Sequence, residues 1–382
     1  MISVAKEVLL MRFHRGCSSL GEWLSRRIAP PLAASLVVLI PVSGTFCTVS
    51  AAPQFRAAFH SYDLTVAGGL AIADLDHDGH PDIISTVWPG YLSVQHGNGD
   101  GTFAPALDYD PALNDARWLA LGDVTGDGKT DVVVSGNQVN GYVTVMPGNG
   151  DGTFLGGTRS QTFDESGPIA LGDLNGDGKL DLVVDCAGSG NPNPAAKVSI
   201  FLNTGSGYGL RTDFLVGGLP GQIALADMNH DGRLDLIVCN RTSNVTIYPG
   251  NGSGGFGAGN PYPTNTDSYG LAVGDVNGDG ILDVVTANNG SSSVSVLLGA
   301  INGTLVSSGN FPVGYGPTDV QIADLNGDGR LDLAVSDYNG NSVTVLLGDA
   351  LGSFGSRSDL WSGYSSRVRL ADLDGDGDLD IV

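Results

Sequence analysis

One nine-residue pattern holds most of the chemistry in this chain: Asp, any, Asp/Asn/Thr, any, Asp, Gly, any, any, Asp. It begins at Asp74, Asp123, Asp173, Asp227, Asp275, Asp324 and Asp372. Side-chain oxygens at positions 1, 3, 5 and 9 can converge on one point, position 7 can add its main-chain carbonyl, and Gly at position 6 permits the sharp turn. A flexible cage of about six to eight oxygens at about 2.3–2.6 Å suits a hard cation, Ca2+ above all.

The expected donors of the first loop are Asp74, Asp76, Asp78, His80 and Asp82. The second loop offers Asp123, Thr125, Asp127, Lys129 and Asp131, and the third Asp173, Asn175, Asp177, Lys179 and Asp181. Asp227, Asn229, Asp231, Arg233 and Asp235 form the fourth, and Asp275, Asn277, Asp279, Ile281 and Asp283 the fifth. The sixth holds Asp324, Asn326, Asp328, Arg330 and Asp332, and the seventh Asp372, Asp374, Asp376, Asp378 and Asp380. Position 7 takes any side chain, as expected where only a carbonyl binds. Position 2 is always apolar, from Leu75 to Leu373, and should point inward. Thr125 makes the second loop the weakest candidate. An EF-hand would need Glu at position 12 and a helix after it; here the loop closes on Asp and a strand-like run follows.

Charge agrees with cation binding. The chain has 41 acidic residues against 18 Lys plus Arg, a net charge of −23 over 382 residues. That balance argues against a nucleic-acid partner. Only Glu7, Glu22 and Glu165 are Glu, so the acid is short-chain Asp suited to loops. Empty loops would crowd like charges; about seven Ca2+ ions would relieve that.

The loops recur at spacings of 49, 50, 54, 48, 49 and 48 residues, a period of solenoids, propellers or arrays. A short apolar run precedes each loop, as in Leu119-Ala120-Leu121, and another follows, as in Val132-Val133-Val134. An alternating run comes next, such as Ser293-Val294-Ser295-Val296, and then a Gly-rich hairpin closing on an aromatic, as at Gly97 to Phe103. Four short strands per repeat predict an all-β propeller of four-stranded blades. No helical period is visible in 53–382. Phe103, Phe154, Tyr208, Phe256, Leu305 and Phe354 stand 18 to 20 residues before the next loop, and Phe55 stands 19 before Asp74. Phe55 therefore opens an outer strand expected to complete the last blade. The seventh repeat reaches only its second strand at Val382, which suggests a truncated sequence.

Residues 1–52 read as a secretory leader: Arg26-Arg27, an apolar stretch from Leu32 to Val42, then small residues to Ala52. Met11 is an alternative start, and Cys47 lacks the context of a lipid anchor. The expected product is secreted or at the cell surface, without a membrane span. After cleavage 13 basic and 39 acidic residues remain in 53–382, a net of −26. Cys186 and Cys239, each at the end of an apolar strand, are expected to be buried and unpaired.

These residues resemble FG-GAP, or VCBS, repeats of integrin α-like propellers, notably Gly172 to Val184 and Gly148 to Phe154. The resemblance implies a seven-bladed ring, here with a truncated last blade, with calcium loops on one face and ligands on the other. It covers 53–382, where the repeat domain is expected. No catalytic constellation is visible, so no enzyme activity is expected of this chain. The opposite face should carry Trp88, Tyr91, Arg117, Trp118, Tyr142, Arg241, Tyr269, Tyr315, Tyr338, Tyr364 and Arg367. An extracellular adhesion or protein-interaction module is the first expectation. A lectin-like carbohydrate binder, targeting an enzyme domain beyond residue 382, is the alternative.

Overall fold

The computed structural model describes residues 67–136, 141–163, 165–186, 196–205, 207–363 and 366–382. The leader, Phe55 and Tyr364 lie outside the described residues, as does most of the long loop of the third repeat. Every repeat folds as read, into antiparallel strands joined by short turns. Six repeats make four-stranded sheets with strands in sequential order. Blade one shows the plan: Ala67–Ala73 innermost, then Asp82–Val87, Tyr91–Gln95 and Leu107–Tyr109. The only helical element among the described residues is a 3-10 turn at Asn289–Ser291.

The expectation of seven blades, the last one truncated, is corrected to six. Among the described residues there are six four-stranded blades, and the seventh repeat is a two-stranded sheet of Leu370–Ala371 and Asp380–Ile381. The Phe55 segment expected to complete that blade lies outside the described residues. The two strands nonetheless fill a seventh sector. They place Leu373 and Val382 in one buried cluster with Leu70 and Ile83 of blade one. On the other side Val368 and Ile381 pack with Val343 and Val345 of blade six.

Register is fixed by the loops. In all seven repeats the residue before position 1 pairs with the Asp at position 9: Ala73↔Asp82, Gly122↔Asp131, Gly172↔Asp181, Ala226↔Asp235, Gly274↔Asp283, Ala323↔Asp332 and Ala371↔Asp380. Second strands such as Asp131–Gly136 and Asp235–Asn240 are buried along their whole length. Their continuous Val, Ile and Leu content follows, because both faces of a blade lie against neighbours. The core is therefore a ring of clusters between blades. Leu75 of blade one, for example, joins Val132, Val134, Met146 and Phe154 of blade two. The aromatics expected on the outer strand turn inward: Phe154, Phe256 and Phe354 are buried, and Tyr109 meets Phe154 edge-on at 5.7 Å. Cys186 and Cys239 are buried and free, as expected.

The inner strands carry a repeated irregularity. Register shifts interrupt pairing between Ala67 and Leu70, Ala116 and Trp118, Pro220 and Gln222, Ser268 and Gly270, and Pro317 and Asp319. A bulge leaves a residue unpaired and re-aims its side chain. All five bulges sit at the start of the inner strand, away from the aspartate loops.

Replacing Leu373 by Ala should open the seventh cluster and cost about 2–5 kcal/mol. Leu351→Ala, at a side chain 75% exposed, should change stability by about 0.5 kcal/mol or less. Urea unfolding of both variants checks that the two-stranded sector closes the ring.

Candidate metal loops and an axial cavity

Each loop begins where an inner strand ends and finishes where the second strand begins, so all seven lie at one end of the blades. Position 1 is wrapped by the amides of its own loop. In the third loop Gly176 and Asp177 donate to Asp173 Oδ1 at 2.7 and 3.1 Å, and Gly178 donates to Oδ2 at 2.8 Å. The Asp177 amide also donates to Asn175 Oδ1, and the Lys179 amide to Asp177 Oδ1. These bonds fix the side-chain oxygens of positions 1, 3 and 5 around the turn. Gly at position 6 has φ between +79° and +90° where it is Gly79, Gly128, Gly178, Gly232, Gly280, Gly329 or Gly377, a region that L side chains rarely adopt.

Position 9 does more than the spacing suggested. Its carboxylate is buried in every loop. One oxygen accepts the amide of position 2 in all seven, at 2.8–3.1 Å, from Leu75 to Leu373. In the six complete blades the other accepts an amide from the turn after the third strand: Gly97, Gly148, Asn203, Gly250, Gly299 or Gly348. In the complete blades other than the second, each of these oxygens accepts one such bond and keeps a lone pair for a cation. Burial pushes the carboxyls of Asp82, Asp181, Asp235 and Asp283 above their usual range, and that of Asp332 up to about 6. Desolvation also bears most strongly on Asp173, but its amide bonds together hold it below the usual value. A hydrogen bond from Lys179 lowers Asp177.

The donor sets fit a hard cation. Carboxylate oxygens of Asp74, Asp76 and Asp78 lie within 4.8 Å of one another, as do those of Asp372, Asp374 and Asp380. The second loop departs as its Thr suggested: the Thr125 amide joins Val124 in donating to Asp131 Oδ2. Position 7 side chains have work that spacing did not reveal. Lys129, Lys179 and Arg233 lie over Gly150, Gly205 and Gly252 of the following hairpin, and Lys179 Nζ stands 2.9 Å from Asp177 Oδ2.

The loops also join the blades. The position 2 carbonyls of Leu75, Leu174 and Leu373 accept amides from Gly152, Gly254 and Gly101 of the next sector, and Val124 accepts from Asn203 Nδ2 at 2.6 Å. The Leu373–Gly101 bond crosses from the seventh repeat to the first.

At the other end of the inner strands the structure brings together much of the expected ligand face. A cavity of about 330 Å3 is lined by Gly68, Arg117, Trp118, Arg241, Tyr269, Asn289, Thr318, Tyr338, Ser366 and Arg367. These residues come from six of the seven repeats, so the cavity lies on the propeller axis. Arg117, Tyr269 and Thr318 are the residues that the bulges throw out of register. Carboxylates orient the guanidiniums: Asp115 holds Arg117 at 2.9 Å and Asp267 holds Arg241 at 2.8 Å. Arg241 also lies 5.4 Å from the Tyr269 ring centre. Trp88, Tyr91 and Tyr315 are exposed outside the lining, and Tyr142 lies under Arg159. Sequence reasoning missed Asn289, Thr318 and Ser366, whose types are unremarkable. It also missed His96, although that histidine interrupts a column of Pro and Leu.

The profile of the FG-GAP-like repeat matches residues 74–134, 123–184, 227–286, 275–335 and 324–382. No curated protein sequence matches the chain. Among solved structures the fold is similar to an Agrocybe aegerita lectin, described as recognising non-reducing terminal N-acetylglucosamine. Identity is 22%, coverage 83% of this chain and 87% of that one, and the TM-score 0.53. The Pseudomonas aeruginosa periplasmic gluconolactonase PpgL is 16% identical, with 84% and 92% coverage and a TM-score of 0.59. BBS1N in complex with ARL6DN is 13% identical, with 83% and 92% coverage and a TM-score of 0.54. At these identities the likeness is one of fold. Among the described residues no helix is long and apolar enough to cross a membrane.

The raised carboxyls give a pH expectation. A group whose folded pKa exceeds its unfolded value of about 4 favours folding when protonated and withdraws that contribution as pH rises through the raised value, about 6 for Asp332. A cation needs the ionised form. Calcium should therefore raise the melting temperature far more at pH 7.5 than at pH 5, as melts with calcium and with chelator at both pH values would show. An equal shift at both would remove position 9 from the cation site.

Proposed function

This chain belongs to the FG-GAP-like repeat family, and from that membership and its geometry we propose a secreted, calcium-binding propeller that acts as a binding module without catalysis of its own. The seven loops take calcium and lock the blades in register, and the axial cavity at the other end of the blades takes the ligand. Adhesion through a protein partner is one form of that reading. The observation that carries the choice is the cavity itself: a concave site of about 330 Å3 falls in the range of small-ligand sites. It combines an indole, two phenols, Asn, Thr and three arginines. Flat aromatic faces with hydrogen-bonding rims suit a sugar ring better than a protein surface, so carbohydrate is the favoured ligand.

Metal analysis after desalting from calcium should find about seven ions per chain; fewer than three would sink the calcium reading. Asp177→Ala should lower melting in calcium and lose most of its difference from wild type in chelator, whereas Lys179→Ala, which breaks one exposed ion pair, should cost about 1 kcal/mol or less.

A glycan array in calcium should give saturable binding that Trp118→Ala abolishes and Trp88→Ala, outside the cavity, leaves intact. No sugar binding, or equal loss in both variants, would return the ligand to the protein class.

A further inference from the structure

The first repeat differs from the others in a way that the calcium reading does not use. His96 occupies the position before Gly97, in the turn whose amide is held by Asp82. The same position carries Pro147, Leu202, Pro249, Leu298 and Leu347 in the other complete blades. Among the six complete blades of the described residues, the first alone sets an imidazole at this position beside its aspartate loop.

The geometry around that donor is close. His96 Nδ1 lies 3.6 Å from Asp76 Oδ2 and 3.5 Å from Asp82 Oδ1, and one ligand atom from each residue falls within a 4.8 Å group. Nδ1 is buried and has no hydrogen-bond partner. Both carboxylate contacts are too long for an N–H to bridge well. The ring cannot readily swing away, because its Cε1 edge lies against Gly152 of blade two, where even a Cβ would collide. Gly152 is itself tied to Leu75, its amide donating to that carbonyl at 3.2 Å. His80, at position 7, has its ring over Gly99 and is outside this group.

We propose that the first repeat binds a divalent transition-metal ion, of the zinc or cobalt class, through Asp76, Asp82 and His96, in preference to the calcium expected of the other six loops. Two donors each about 2.1 Å from a tetrahedral ion stand about 3.4 Å apart, close to the separations seen here. Calcium takes oxygen donors, while imidazole suits later divalent metals and binds them more tightly along the Irving–Williams order. Asp82 also holds the amides of Leu75 and Gly97, so an ion here would link the first loop, the second strand and the turn after the third. The site rests on the same loop that the calcium reading uses, but its preference is separable from it.

The test uses the whole protein in excess calcium, titrated with Co2+ as the probe and read by visible absorption and by metal content. Wild type should take up one equivalent of Co2+ with nitrogen-ligated bands, and one equivalent of Zn2+ should displace it. His96→Leu, carrying the residue found in blades three, five and six, should lower Co2+ affinity at least about tenfold while keeping calcium-dependent melting; His96→Gln provides a second variant with the same expected loss. His80→Ala should retain the cobalt site. Absence of Co2+ uptake over calcium, unchanged binding in both His96 variants, or loss in His80→Ala would overturn the assignment. Calcium-dependent melting in the same samples reports on the other loops, so the two readings fail separately.

Discussion

A single buried carboxylate, repeated seven times, organises this molecule. The Asp at position 9 ends the loop, begins the second strand and accepts the amide of position 2; in the six complete blades it also accepts an amide from the turn after the third strand. It thus fixes three backbone segments relative to one another. Burying an ionised group without compensation is costly, and two amides offset only part of that cost, as the raised carboxyl of Asp332 indicates. A cation bound by the same loop would supply the rest. Loop chemistry and blade packing are therefore one constraint: position 2, whose amide the carboxylate holds, also places its apolar side chain between blades and, in three repeats, gives its carbonyl to a glycine of the next hairpin.

The two ends of the inner strand serve different purposes for a geometric reason. At the loop end every blade repeats the same register, and positions 1, 5, 6 and 9 are identical in all seven loops. At the other end the bulges release residues from pairing, and there the blades differ: Gly68, Arg117, Gly221, Tyr269 and Thr318 occupy the released positions. A ring built from near-identical units acquires an asymmetric cavity because the released side chains are free to vary. In a chain of net charge −23, three arginines around one axial cavity form a local exception: Asp115 orients Arg117, Asp267 orients Arg241, and Arg367 donates to the Gly68 carbonyl.

The seventh sector shows how little of a blade is needed to join the ring. Two two-residue strands bring Leu373, Ile381 and Val382 against blades one and six. Inner and second strands provide most contact with the neighbouring sectors, while third and fourth strands thicken the rim. The edge of Asp380–Ile381 remains the place where further pairing can occur.

Much was legible in the sequence because repetition removes ambiguity. The period, the invariant Gly and the apolar position 2 determined the strand order, the loop ends and the all-β architecture. Alternating runs marked strands, and Trp118, Tyr269, Tyr338 and the three arginines could be assigned to one face from the topology alone. Other features depended on folding. Spacing could not say that the position 9 carboxylate is buried and holds two amides, because one partner lies some 15 residues away, across the sheet. It could not say whether the seventh repeat, which reaches only its second strand, would still fill a sector between blades six and one. Nor could it bring His96 to Asp76, or gather residues of six repeats around one cavity. The first proximity arises when blade one pairs its own strands; the cavity arises only when the ring closes, because closure sets the distances between side chains that local sequence leaves far apart.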